Sequence, residues 1–466
     1  MREGLRATVS RAITLGRVGK AVLATKNAAD DDARALARQR LASVLGDARG
    51  IAMKVGQLLA SDRADDPLRP LIHSVAPLPL SVLQRDLEVA LGKSPAAVFM
   101  ELAESEAAAS LGQVHRARLA DGREVAVKVR YPNVRSAVGA ELRLLGLVPG
   151  LGPARKWGFD VDAYKRVLGD NMERELDYRR EAQAQRQFRE EVRVEGLVVP
   201  ELFPALCSEG LLVQSWETGI RLSDASRLSK PERLELGRTL LQTLFVSLFG
   251  AGLVHADPHP GNYLFRPRAG ARAAEVVLLD FGCTVRVSQA ARRALLHLIT
   301  RTRDGGRIDY LASFAELGFD ADKLAALEPS LGPLCTALFR PFIDDVAFRP
   351  SDWHLSEHVE RACGDLKWWF RSAGPPDLFL LLRAFEGVCA QLRTLDVALP
   401  WWPILRHALG ERALAAADAH VSRPLEARAA LVHTRARLLK VRLFEGNDAL
   451  LDVAFPAREA LRLTEI

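Results

Sequence analysis

Aromatic residues are scarce. They make up 6% of the 466 residues, and no basic block is interleaved with them. A nucleic-acid surface needs clustered cations and stacking rings, so that class of partner is set aside. Cysteine is scarce as well. Cys207, Cys283, Cys335, Cys363 and Cys389 lie far apart, are odd in number and form no C-x-x-C pair. This speaks against a disulfide framework and fits reduced thiols in the cytoplasm, packed as small core residues. No apolar run reaches the roughly 18 residues that span a bilayer. The Leu240–Leu253 stretch is short, is interrupted by Gln242, Thr243, Ser247 and Gly250, and reads as a buried helix. There is no evident signal peptide, internal repeat or long low-complexity tail.

What is present is a chain with 48% apolar residues, enough for a sizeable core divided among lobes with a cleft. The formal charge of +6 suits several partners, an anionic lipid, a nucleotide or a nucleic acid, or none in particular. Residues 1–27 set Arg2, Arg6, Arg11, Arg17, Lys20 and Lys26 against Glu3, with Leu5, Val9 and Ile13 near one helical face. Such a helix can pack on its own protein or lie on an anionic membrane.

Three stretches carry chemistry. In His255-Ala256-Asp257-Pro258-His259-Pro260-Gly261-Asn262 an acid precedes an amide by five residues, in a loop stiffened by two prolines. Val276-Val277-Leu278-Leu279-Asp280-Phe281-Gly282 reads as a buried strand ending in a second acid and a turn. Val125-Ala126-Val127-Lys128 is an apolar strand bearing one lysine. Acid, amide, second acid and strand lysine are the parts that phosphoryl transfer in a kinase-like site assembles around a nucleotide.

The rest of the chain supplies the frame. Ala33–Ala60 reads as helical and places Lys54 and Gln57 three apart on one face. Pro67, Pro70, Pro77 and Pro79 mark turns, and Ser81 can cap a helix from Val82 to Leu91. Two strands joined at Asp121-Gly122 form a hairpin. Ahead of it, Ala107-Ala108-Ala109-Ser110 occupies the place of a phosphate loop, where alanine Cβ atoms would narrow the approach to backbone N–H groups. Phe159–Arg193 reads as one long or bent helical region with Glu173, Glu175, Asp177 and Glu181. One of these acids should pair with Lys128, since an uncompensated lysine in a closed cleft is costly, and Glu181 is the choice. Leu211–Gln214 is a buried strand leading to Ser215-Trp216-Glu217-Thr218-Gly219, whose backbone can meet an adenine edge near Ser215 and Glu217. From Gln289 onward the pattern is mostly helical, clearest at Ser313–Leu317, Pro376–Leu395 and Leu425–Val441. Trp368, Trp369, Phe370, Trp401 and Trp402 are read as core or groove residues. The A-P-E phrase that closes a peptide-substrate platform is absent.

With these motifs together, the chain resembles the UbiB/AarF family of atypical kinase-like ATPases, bacterial kin of the mitochondrial coenzyme Q biosynthesis kinases. The marks are Lys54-Val55-Gly56-Gln57, Ala107–His115, Val125–Lys128, Glu175-Leu176-Asp177, Glu181, His255–Asn262 and Asp280-Phe281-Gly282, across about residues 35–300. The resemblance implies an α+β, bilobal protein-kinase-like fold. A helical N-terminal extension over residues 1–98 would cover the cleft. The N-lobe would span 99–217, the catalytic part of the C-lobe 218–300, and a mostly helical remainder 301–466. It implies that Lys54 contacts Glu175, with Gln57 and Asp177 in the same inhibitory arrangement. The alanine-rich loop Ala107–Ser110 would replace a glycine-rich loop. Lys128, paired with Glu181, would touch ATP phosphates, Asp257 would be the catalytic acid, and Asn262 and Asp280 would bind Mg2+. Implied partners are nucleotide, an anionic lipid or membrane surface, a quinone or isoprenoid precursor, and lipid-biosynthetic proteins. The implied place is the cytoplasm or the inner face of the cell membrane. Two departures stand out: a Gln214-Ser215 hinge in place of an acidic or methionine-bearing one, and no transmembrane segment.

The leading expectation is a Mg-ATP-dependent ATPase or small-molecule kinase coupled to lipid or isoprenoid-quinone metabolism. The alternative is a nucleotide-responsive scaffold for lipid or quinone enzymes with negligible turnover. A protein kinase comes third, because the peptide platform is missing.

Overall fold

A computed structural model describes residues 77–108, 111–132, 134, 158–270, 272–420, 439–445 and 448–455. The stretch bearing Lys54 and Gln57 lies outside the described residues, as do Ala109 and Ser110 and the side chains of Ala107 and Ala108. The described residues fall into two compact units. The first takes those within Met1–Gly152, with Asp162–Glu232 and His255–Thr284. The second takes those within Pro153–Val161, Arg233–Val254 and Val285–Ile466.

The first unit is built on an antiparallel sheet of β1 (Phe99–Ala108), β2 (Gly112–Leu119), β3 (Glu124–Arg130) and β5 (Leu211–Ser215), in that order. Period-two alternation sends Val125, Val127, Val129, Leu211 and Val213 to one face, where they pack with Leu83 and Leu87 of α1 (Leu80–Leu91). Each fully buried leucine or valine of this cluster contributes about 1.5–3 kcal/mol. Lys128 falls on the other face. The expected hairpin at Asp121-Gly122 is present, but β1 is longer than the apolar run suggested and carries the chain through Ala108. Ser81 is not the cap of α1. Pro79, which has no N–H of its own, holds the cap position, and the Glu104 carboxylate accepts from Leu80 N at 3.0 Å.

The long helical region is two helices, α2 (Val161–Glu175) and α3 (Tyr178–Glu191). Asp177 makes the break. Its backbone is extended, and its carboxylate accepts from Arg179 N at 3.1 Å, a helix start written into the sequence. A second sheet in the same unit orders β4 (Leu197–Val198), β7 (Glu275–Leu278) and β6 (Tyr263–Arg266).

The second unit is largely helical. Trp401 is fully buried at its centre, with Phe245, Phe342, Phe348, Trp353 and Phe385 at ring separations of 5.6–6.2 Å. Trp402 is buried too, whereas Trp368 is 37% exposed, with Lys367 and Arg371 over its ring. The helix Lys230–Phe245 passes into a π-turn, Val246–Ala251. Leu439–Val441 is strand, paired in the ribbon Leu439–Glu445 with Asp448–Phe455. The helical reading there missed the strict alternation Leu439-Lys440-Val441-Arg442-Leu443 and the Gly446-Asn447 turn signal. Among the described residues no helix is long and apolar enough to cross a membrane.

Candidate active site

Lys128 is placed by β3. Its partner across the sheet is Leu212 of β5, and its ammonium enters a polar cluster opposite the apolar core. There it meets Glu181 Oε1 at 2.7 Å, Glu181 Oε2 at 2.9 Å and Asp280 Oδ2 at 2.7 Å. Residues 53 and 152 positions away along the chain thus converge on one ammonium. The Tyr178 ring lies 5.1 Å from the same nitrogen.

The charges do not balance. One lysine faces two carboxylates, and the Glu181 side chain is 2% exposed. Burial pulls the Lys128 ammonium down, but Asp280 and Glu181 overcome this and hold it well above its usual range. Burial pushes the Glu181 carboxyl up, the Asp280 charge adds to that, and Lys128 offsets them in part, leaving it at about 7. Asp280 resists burial through Lys128 and the Gly282 N–H and stays below its ordinary value. The pair therefore keeps one firm negative charge at Asp280 and a second that is taken on near neutral pH.

Asp280 is fixed by its neighbours. Gly282 N donates to Asp280 Oδ1 at 2.9 Å, and His255 Nε2 donates to the Asp280 carbonyl at 2.6 Å. The acceptor decides the tautomer of His255. Leu279 N donates to Asn262 O at 2.9 Å. Phe281 is buried against Phe188 and His255, at centroid separations of 5.2 and 5.8 Å. Gly282 leaves room for the acids: a Cβ there would stand 3.3 Å from Asp280 Oδ1 and 3.5 Å from Glu181 Oε2.

Asp257 and Asn262 come from the stiff loop. Asp257 is buried, and its charge raises the cost of ionising Asp280, so the two acids feel one another. Asn262 Nδ2 donates to the Asp257 carbonyl at 3.0 Å, which turns its other end, an oxygen, to any further ligand. Among the described residues no three His, Cys, Asp or Glu side chains converge as a metal cage. Asp280 and Asn262 still offer two hard oxygens in a negatively charged site. That fits Mg2+, which is held by one or two protein oxygens plus phosphates and water.

The other expected residues fall in three places. Glu175 is buried beside Gly282 and accepts from Asn171 Nδ2 at 3.2 Å. Asp177 caps α3. Ser215 ends β5 and Glu217 lies in the linker that follows it: Ser215 Oγ donates to Glu217 Oε1 at 2.6 Å, and Arg266 pairs with both Glu217 and Glu275. Ser215 N donates to Glu201 O and Trp216 N to Glu124 O, so those two amides are taken.

Tyr178, Asn171 and Gln185 are not singled out by the sequence, which marks Gln214 only as part of the hinge. Tyr178 follows the capping Asp177 and stands one turn before Glu181, which is the signal that could have found it. Gly112 is shaped by Tyr178. A Cβ at Gly112 would collide with the Tyr178 hydroxyl and the Val129 carbonyl.

Comparisons with known proteins bear on this geometry. Residues 70–308 match the model of the ABC1 atypical kinase-like domain. Protein ACTIVITY OF BC1 COMPLEX KINASE 1, chloroplastic, of Arabidopsis thaliana is 28% identical over 75% of this chain and 53% of its own length. Atypical kinase coq-8, mitochondrial, of Caenorhabditis elegans is 27% identical over 60% of this chain and 38% of its own. The chain thus spans about half or less of these relatives. A solved structure, the complex of Rv3197 with erythromycin from Mycobacterium tuberculosis, aligns with a TM-score of 0.56 and 27% identity, over 80% of this chain and 96% of that one. The fold is therefore mixed α/β and kinase-like, and the chain belongs to the UbiB/AarF/ABC1 family of atypical kinase-like proteins.

Proposed function

We propose that this protein is a Mg-ATP-dependent atypical kinase-like ATPase that passes a phosphoryl group to water or a small molecule. We further propose that its work is coupled to lipid or isoprenoid-quinone metabolism at an anionic membrane surface. The observation that carries the enzymatic reading is the meeting of Lys128, Glu181 and Asp280 within 2.9 Å, beside Asp257 and Asn262.

Each residue has a role that its surroundings support. Glu181 holds Lys128 upright, and the Lys128 ammonium faces the α- and β-phosphates. Asp280 and Asn262 would hold Mg2+, which when bound offsets charge on the phosphoryl oxygens. Asp257 orients the acceptor hydroxyl or water and takes up its proton. The excess carboxylate charge gives the site a demand for a cation that Lys128 alone does not meet. Ala107–Ser110 would line the phosphates, and the linker at Ser215 and Glu217 would border the base. Glu175 and Asp177 would answer Lys54 and Gln57 in the inhibitory arrangement. The lipid coupling rests on the basic segment 1–27 and on the family.

The test is turnover of ATP by the purified full chain, with and without vesicles of anionic lipid. Slow hydrolysis, faster with vesicles and lost in Asp280→Ala, is expected. An Asp280→Ala rate equal to that of the wild type would end the ATPase reading. Tight Mg-nucleotide binding that survives Asp257→Asn, with no turnover in either protein, would make the chain a scaffold.

A further inference from the structure

A buried amide pair beside the site has no part in the phosphoryl-transfer reading. Gln185 lies on α3, four residues beyond Glu181, and is fully buried. Gln214, the residue before Ser215 on β5, is 8% exposed. Gln185 Nε2 donates to Pro200 O at 3.0 Å and to Gln214 Oε1 at 2.7 Å. Gln214 Nε2 donates to Leu279 O at 3.1 Å. The orientation of both amides is dictated by chemistry. Pro200 O and Leu279 O can only accept, so each faces an NH2 end, and the contact between the glutamines is then N–H to oxygen.

This arrangement is costly to build. Gln185 Oε1 is buried with no partner. An orphan acceptor of that kind costs more than a well-packed apolar side chain would. A gain elsewhere must offset it, and the position of the pair names the gain. The sheet register sets Gln214 opposite Ala126 and Leu212 opposite Lys128, so Gln214 shares the face of Lys128. Leu279 immediately precedes Asp280. Glu181 and Gln185 lie one helical turn apart on the same face of α3. One chain of hydrogen bonds therefore ties the helix that carries Glu181 to the strand end that carries Asp280, across the strand that leads to the linker. A methionine at either position would fill the space but hold no direction.

We propose that the Gln185–Gln214–Leu279 relay is a positioning device, which sets Asp280 against the Lys128–Glu181 pair and thereby tunes affinity for Mg-nucleotide. This rests on the nucleotide reading above. Neither glutamine touches the reacting atoms. They act through the Leu279 carbonyl and through α3.

The experiment uses the full chain as wild type, Gln185→Met, Gln214→Met and the double variant, with Mg2+ and ATP as probes. Amide exchange in nucleotide-free protein should quicken about fivefold to tenfold across Leu279–Cys283, the worth of one lost hydrogen bond. Exchange at Val125 and Val127 should stay unchanged. The Mg2+ concentration that half-saturates ATP binding should rise by a similar factor, while turnover at saturating Mg2+ stays near the wild-type value. The double variant should match the worse single one, because the relay acts as a unit. Wild-type exchange across Leu279–Cys283, or an unmoved Mg2+ midpoint, in whichever variants fold would overturn the proposal. Acceleration spread equally over β3 would reduce the pair to packing and overturn it as well. A wild type that binds no Mg-ATP would remove the nucleotide reading itself, and that result is seen in the wild-type titration alone.

Discussion

Replacing Lys128 with Met keeps most of the length of the side chain and removes its charge. Two carboxylates then share a site with no counter-ion, and one of them, Glu181, is 2% exposed at its side chain. Breaking a buried pair by removing one partner costs on the order of 3–5 kcal/mol. The cost should depend on pH, and its sign follows from the two protonation states. In the folded protein the Glu181 carboxyl is raised from 4.5 to about 7. The contribution of Glu181 to stability is therefore full below pH 4.5 and is lost as pH rises through about 7, a difference of about 3 kcal/mol. Without Lys128 both carboxyls hold their protons to higher pH, so the deficit of the variant grows as pH rises. The loss relative to wild type should reach roughly 3–5 kcal/mol at pH 8 and fall to about 1–2 kcal/mol at pH 5. Adding Glu181→Gln to Lys128→Met should restore about half of the loss at pH 8, because one uncompensated charge is gone. Amide exchange of Val125, Val127, Leu211 and Val213 reads the opening of the first unit without interference from the second. A loss that is the same at pH 5 and pH 8, or a second substitution that brings nothing back, would refute the reasoning.

Asp257→Asn should abolish ATP turnover while leaving the ATP dissociation constant within about threefold, since in its proposed role the acid acts on the acceptor; rapid-quench and equilibrium binding separate the two. Gly112→Ala should destabilise the first unit by about 1–3 kcal/mol, because its Cβ meets the Val129 carbonyl and the Tyr178 hydroxyl, as a thermal melt would show. Arg266→Ala leaves the half-buried acids Glu217 and Glu275 without their cation and should loosen the linker. ATP binding should then weaken several-fold with no change in its Mg2+ midpoint, as measured by titration calorimetry.

Much of the geometry of the candidate site is legible in the sequence, because the residues that converge there sit in rare local patterns. An acid and an amide five apart in a proline-stiffened loop, and an acid ending an apolar strand, have few other uses. The need of Lys128 for a counter-charge points to an acid of the Phe159–Arg193 region without deciding which, and the ammonium meets Glu181. What escapes is of three kinds. The break at Asp177 is marked by one side-chain-to-backbone bond, and the start of α1 by Pro79 with Glu104 accepting from Leu80 N, neither of which helical periodicity registers. The ribbon at residues 439–455 is hidden by a run of strong helix formers ahead of it, although its own alternation is plain. The Gln185–Gln214 relay joins residues 29 apart whose meeting depends on the packing of α3 against β5, so no local pattern announces it. Tyr178, by contrast, stands one turn before Glu181, a local signal that could have found it.

The central claim is that Lys128, Asp280, Asn262 and Asp257 surround one Mg-bound triphosphate. Titration of ATP into the purified chain, with Mg2+ and with EDTA, beside the same titrations of Asp280→Ala, tests it most directly. The account predicts saturable binding that strengthens with Mg2+ in the wild type and loses its Mg2+ dependence in the variant. Binding of equal strength in Mg2+ and EDTA, or a variant that keeps the wild-type response, would contradict it.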